Sequence, residues 1–149
     1  MISLAAVADG NGHFEITETE ILEPTGDEVL VKIMAAGLCH TDYDSMKWGK
    51  PLVMGHEGSG VIAAVGEKVQ DFRIGDSVIL NWATPCGECF QCQQGNQNIC
   101  ERNSPVVAGG NGYSGGHAAL HKTRFRNQPV VRSFNLGTLS EYALVREAA

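Results

Sequence analysis

The sequence predicts a mainly β fold of the α+β kind, a small barrel with short helices rather than a helix bundle or a doubly wound sheet. Three observations carry this: short apolar runs, 18 glycines in 149 residues, and no long stretch at helical period. His13 to Ile21 alternates as a half-covered strand does, and Glu23-Pro24-Thr25-Gly26-Asp27 separates it from the next strand. Glu28 to Ala36 places Val29, Val31, Ile33 and Ala35 at period two with Leu30 and Met34 between them, so both faces are expected to be at least partly covered. Gly37 closes that strand. Thr41-Asp42 is expected to cap a short helix through Tyr43 and Met46, which puts Cys39 at the strand-to-helix corner. A second apolar run, Gly60 to Val65, leads through the turn Gly66-Glu67-Lys68 and then Gly75-Asp76 into Ser77-Val78-Ile79-Leu80. Gly137 to Val145 reads as a final strand.

By length the chain is one domain, residues 1–149, large enough to bury roughly two thirds of the surface of its unfolded form. A formal net charge of -6 and a pI near 5.3 argue against nucleic acid or an anionic membrane as partner. Ile2 to Ala8 is apolar, but it lacks a basic leader and is too short to span a bilayer. Five cysteines, four of them clustered at metal-ligand spacing, point to a reducing, cytoplasmic setting. Asn103 to Arg132, rich in Gly, Asn and basic residues, is expected to be a long loop. Within it Gly109-Gly110-Asn111-Gly112 lacks the preceding strand and following helix of a phosphate-binding turn, and His117 and His121 are expected to be exposed loop histidines.

Cys86, Cys89, Cys92 and Cys100 follow C-x2-C-x2-C-x7-C, a spacing that can wrap one tetrahedral zinc. Buried apolar thiols are the plain alternative, disfavoured by the glycine and polar neighbours. An iron–sulfur cluster is the chemical one, but here the last gap is seven and Glu101, not proline, follows Cys100. A closed four-thiolate zinc does no chemistry. It would hold the lobe from 81 to 102, with an apparent binding energy of ~10–16 kcal/mol against a typical domain stability of ~5–15 kcal/mol. Cys39-His40-Thr41-Asp42 and Gly55-His56-Glu57-Gly58 are weak signals separately and strong together. A reactive zinc takes about three protein ligands and keeps one position open, which suits Cys39 and His56 with Glu57 as transient ligand or orienting group.

These residues, with Gly58-Ser59-Gly60, Val65-Gly66, Gly75-Asp76 and Gly137-Thr138-Leu139-Ser140-Glu141-Tyr142, resemble the medium-chain zinc-dependent alcohol dehydrogenases over roughly residues 2 to 147. The resemblance implies a GroES-like, partly open β-barrel with a structural-zinc lobe. It implies a catalytic zinc on Cys39 and His56 with Glu57 beside them, and a structural zinc on Cys86, Cys89, Cys92 and Cys100. It further implies Thr41 in proton relay, Asp42 as partner of His56, and His40 near the coenzyme pyrophosphate. Trp48, Trp82 and Phe134 are candidates for the walls of an apolar substrate pocket, with plain core packing the equal alternative.

Two departures from the family pattern matter. Asp44 stands where many members have the histidine that finishes the proton relay, so the relay is expected to end in that carboxylate or in water. The family's third zinc cysteine, its Rossmann coenzyme domain and its return segment have no counterpart among these residues. The expectation is therefore the amino-terminal part of an NAD(P)-linked enzyme acting on a small alcohol or aldehyde, inactive by itself. A homo-oligomer is compatible with this, its contacts coming largely from the missing half. The alternative is a self-standing, zinc-stabilised binding module without redox chemistry.

Overall fold

The computed structural model describes residues 1–101 and 122–149. In chain order the strands are β1 (Ile2–Ala8), β2 (Phe14–Ile21), β3 (Glu28–Gly37), β4 (Leu52–Val53), β5 (Glu57–Val65), β6 (Ser77–Leu80), β7 (Thr123–Phe125), β8 (Gln128–Pro129), β9 (Val131–Arg132) and β10 (Tyr142–Arg146). Among the described residues, two short helices, α1 (His40–Ser45) and α2 (Phe90–Gln93), and single 3-10 turns at Gln97–Ile99 and Ser133–Asn135 accompany the strands.

β3 is the central element of a four-stranded antiparallel sheet ordered β10-β3-β5-β6. Val31 stands opposite Ile62 on one side and Ala143 on the other, so the alternate side chains of three strands meet in one layer. Val29, Val31, Ile62, Leu80, Leu136, Ala143 and Val145 form that core, while Leu30, Leu144 and Ile21 cluster on the opposite face. Burying each such side chain contributes about 1.5–3 kcal/mol. The two-sided coverage expected for β3 holds from Glu28 to Val31 only. β10 begins opposite Lys32 and the Glu141 carbonyl still accepts from the Ile33 N–H, so beyond Ile33 β3 pairs with β5 alone and Met34 is 67% exposed. Register shifts interrupt the β3–β5 ladder at Leu30/Val31 and Ile33/Ala35, irregularities of the kind that bend and twist a strand.

The second sheet has the order β8-β7-β2-β1-β4-β9, antiparallel except for β4 with β9. Ala6, Ala8, Leu52, Met46 and Met54 fill one face, and Ala5, Val7, Val53 and Val130 the other. The two sheets are sewn together just before β10. The Ala6 N–H donates to the Leu139 carbonyl (2.8 Å), the Glu141 N–H to the Leu4 carbonyl (2.9 Å), and Ala5 bridges Ser140. The result is a mostly β, nearly closed barrel with few helices.

Three sequence expectations change. The final strand begins at Tyr142, because residues 137–141 are spent on the seam between the sheets. The described part of the expected loop carries β7, β8 and β9, with Arg126 (φ 51°) and Asn127 (φ 62°) turning the β7–β8 hairpin in the left-handed geometry that suits two-residue turns. Cys39, not Thr41, holds the N-cap position of α1. The expectations for Gly109-Gly110-Asn111-Gly112, His117 and His121 lie outside the described residues. Among the described residues no helix is long and apolar enough to cross a membrane.

Candidate metal centres

The cysteine lobe is built by N–H groups turned toward sulfur. Cys86 Sγ accepts from the N–H of Cys89 (3.3 Å) and of Glu88 (3.5 Å), Cys89 Sγ from Cys92 (3.5 Å), and Cys100 Sγ from Cys86 (3.4 Å). Cys89 also caps α2, which carries Cys92 back toward the others. All four sulfurs lie within 4.8 Å of one another, with Cys86–Cys92 and Cys89–Cys100 each at 4.0 Å. Four thiolates around one tetrahedral zinc would stand about 3.8 Å apart, so the donor set fits that ion. The backbone N–H of Cys92 draws the pKa of Cys89 below the ordinary thiol value, whereas burial pushes that of Cys92 up to about 11.

The second cluster joins the free end of β3 to the start of β5. Cys39 leaves β3, His56 and Glu57 enter β5, and their ligand atoms lie within 4.8 Å of one another. Asp42, buried on α1, ties the corner. Its carboxylate accepts from the N–H of Cys39 (3.0 Å) and of Gly55 (3.2 Å), and its Oδ1 lies 3.2 Å from His56 Nδ1. With Nδ1 taken, Nε2 is the nitrogen left for the cluster. Thr41 Oγ1 is 3.7 Å from Cys39 Sγ.

Two glycines make this corner sterically feasible. Gly55 has φ 93°, and a Cβ there would run into the backbone N of Leu139 and the Thr138 hydroxyl. A Cβ on Gly37 would strike the Glu57 carboxylate, which lies across it from the paired strand. Residues 138–139 close over the histidine from behind. The Thr138 N–H donates to Gly55 (3.0 Å), the Leu139 N–H to Met54 (2.9 Å), and the Thr138 hydroxyl to the Glu57 carbonyl (3.0 Å).

Phe134 stacks obliquely against His56, with ring centroids 4.6 Å apart, and touches Trp82 (5.6 Å) and Trp48 (5.8 Å). The structure thus brings Cys39, Thr41, His56, Glu57, Trp48, Trp82 and Phe134 into one neighbourhood. His40 and Asp44 are exposed on α1. Thr138, which holds the carbonyls of Gly55 and Glu57 on either side of His56, reads from the sequence only as strand. Its signal is the hydroxyl in Gly137-Thr138-Leu139, a position where a plain strand needs none.

A barrel of two seamed sheets carrying a four-cysteine lobe and an open Cys–His–Glu corner defines a domain with two metal-ligand clusters. The model of the alcohol dehydrogenase GroES-like domain matches residues 25–149, and the chain belongs to that family. It is 34% identical to alcohol dehydrogenase B of Mycobacterium tuberculosis over 97% of this chain and 39% of that protein. It is 38% identical to S-(hydroxymethyl)glutathione dehydrogenase of Photobacterium damsela subsp. piscicida over 100% of this chain and 41% of the relative. Among solved structures, benzyl alcohol dehydrogenase from Acinetobacter calcoaceticus superposes with TM-score 0.77 at 36% identity, covering 99% of this chain and 40% of that one. An alcohol dehydrogenase zinc-binding domain protein from Burkholderia ambifaria superposes with TM-score 0.84 at 33% identity, with the same coverage of each. The chain therefore spans about two fifths of the length of these relatives.

Proposed function

We propose that this chain supplies the zinc- and substrate-binding part of an alcohol dehydrogenase that interconverts a small alcohol and its aldehyde with NAD(P). The observation that carries the reading is the Cys39–His56–Glu57 cluster within 4.8 Å, in a domain of the alcohol dehydrogenase GroES-like family. Zinc bound there would supply Lewis acidity toward an oxygen-bearing substrate. Cys39 and His56 would hold the ion, with Glu57 as an exchangeable third group or an orienting one. With His56 Nδ1–H donating to Asp42 Oδ1, the imidazole would be held in the tautomer that keeps Nε2 as a ligand lone pair. Thr41, whose hydroxyl lies 3.7 Å from Cys39 Sγ, would pass a proton from the substrate oxygen outward, with Asp44, three residues further along α1 and exposed, as the terminus of the relay. His40, also exposed, would face the coenzyme. Trp48, Trp82 and Phe134, in ring contact with one another through Phe134, would wall the substrate side of the site.

Cys86, Cys89, Cys92 and Cys100 would hold a second, structural zinc. Such thiolates persist in a reducing compartment, which supports a cytoplasmic setting. Coenzyme binding belongs, in this reading, to a Rossmann domain outside these residues, and the 149-residue chain alone turns nothing over. Elemental analysis should find one tightly held zinc per chain. In the protein joined to its coenzyme domain, Cys39→Ala and His56→Ala should each abolish NAD(P)-linked alcohol oxidation. Turnover retained in either variant refutes the assignment.

A further inference from the structure

Phe134 adopts a backbone conformation that a phenylalanine has no intrinsic reason to adopt. Its φ of 50° and ψ of 32° lie in the left-handed region, and Asn135 comes next at φ 64°. For a bulky side chain this is an outlier, and it persists only where the surroundings over-determine it. Here they do. Ser133 and Leu136 on either side are 0% and 1% exposed, and the Leu136 N–H donates to the Ser133 carbonyl at 2.9 Å. The turn throws the ring outward from the core, against the imidazole of His56.

The histidine needs such a neighbour. Its Nδ1 contact with Asp42 pins one atom of the ring, but an imidazole's second torsion is broad and roughly two-fold, so one hydrogen bond leaves rocking and flipping open. A ring whose centroid lies 4.6 Å away at 47° blocks that motion on one side. Phe134 cannot swing clear, because Trp48 and Trp82 flank it at 5.8 and 5.6 Å.

We propose that Phe134 is a positioning residue: its strained backbone presses an aromatic face on His56 and, with Asp42, locks the imidazole so that Nε2 stays aimed into the Cys39–Glu57 corner. The ordering of His56 stands on geometry alone. Its consequence for metal affinity rests on the proposed reading of this corner as a metal site, and the test separates the two.

The first measurement uses the full 149-residue chain with the Cys39–His56–Glu57 corner left metal-free. NMR of the His56 ring should show one orientation in the wild type, with cross-relaxation to the Phe134 ring. Phe134→Asn, which suits a left-handed backbone but removes the ring, and Phe134→Leu, which keeps apolar bulk without a flat face, should both give an exchanging His56. Phe134→Tyr should keep it fixed. The second measurement fills the four-cysteine site with one equivalent of zinc and titrates cobalt(II). Phe134→Asn should weaken uptake about tenfold while its Tm stays level or rises, and Phe134→Tyr should bind as the wild type does. A singly oriented His56 in Phe134→Asn and Phe134→Leu overturns the proposal. So does a fall in Tm with cobalt affinity unchanged, the signature of ordinary packing. If the wild type takes up no cobalt, the metal reading fails and the NMR result alone decides the role of Phe134.

Discussion

Asp42 shows how much of the corner depends on a single side chain. One buried carboxylate answers two backbone N–H groups and an imidazole, from two separate stretches of chain. Hydrogen bonds to a charged group contribute about 1.5–3 kcal/mol each, and losing the acceptor leaves buried donors unpaired. Asp42→Ala should therefore destabilise the chain by about 3 kcal/mol or more, read as a lowered urea midpoint at unchanged slope. Asp42→Asn keeps an acceptor for one donor and should fall between. A midpoint within experimental scatter of wild type for Asp42→Ala would show the corner to be held by other means. At this scale the sequence is informative wherever chemistry dictates residue type. Cys39, His56 and Glu57 stand out because few roles besides ligation call for them together. Phe134 is legible as an aromatic wall but not as a left-handed residue, since nothing in a phenylalanine announces a conformation that tertiary contacts impose against its preference.

Among the elements, the cysteine lobe has the least packing of its own. The buried cluster that defines it consists of Cys89, Cys92 and Cys100 with Cys86 against them, while Phe90 is 65% exposed and Ile99 36%. With no apolar cluster beneath it among the described residues, the lobe should order only around the ion. Chelation should raise amide exchange over residues 86 to 100 while β3, β5 and β10 keep their protection. Cys92 contributes one identifiable part of the pH dependence. Burial holds its pKa at about 11, above the ordinary thiol value, so in the metal-free chain it keeps its proton at neutral pH. Ligation requires the thiolate, so zinc uptake must displace that proton. Apparent affinity should then weaken by about tenfold for each pH unit lowered on account of that one proton, measured by competition with a chelator. Zinc uptake with no proton release would contradict it. The strands most legible in the sequence are β2, β3, β5 and β6, whose apolar runs have clear bounds. β1 is hidden there because Ala5, Ala6, Val7 and Ala8 are all buried, and a strand covered on both faces does not alternate. The β7–β8 hairpin turns on Arg126-Asn127, with none of the glycine that normally marks such a turn.

For the molecule as a whole, the decisive feature is the seam at residues 137–141. It binds both sheets and also backs the histidine, so the barrel and the corner should not come apart separately. Leu4 donates to the Glu141 carboxylate (2.9 Å) and Tyr142 to the Ser3 hydroxyl (3.2 Å), beside the three backbone contacts at Ala5, Ala6 and Glu141. Trp82 packs on the barrel core and Trp48 lies across the corner, so their fluorescence reports the two regions together with the backbone signal of the sheets. In the zinc-loaded chain, tryptophan fluorescence and far-ultraviolet circular dichroism should therefore trace one coincident unfolding transition. Leu144→Ala removes a side chain that is 0% exposed, on the sheet face remote from the main core, and should lower stability by about 2–5 kcal/mol. Both signals should shift by the same amount, since the seam transmits the loss from β10 to β1. Fluorescence that stayed in place while the circular dichroism transition moved would mean that the corner folds independently of the four-stranded sheet, and that the seam joins the two without coupling them.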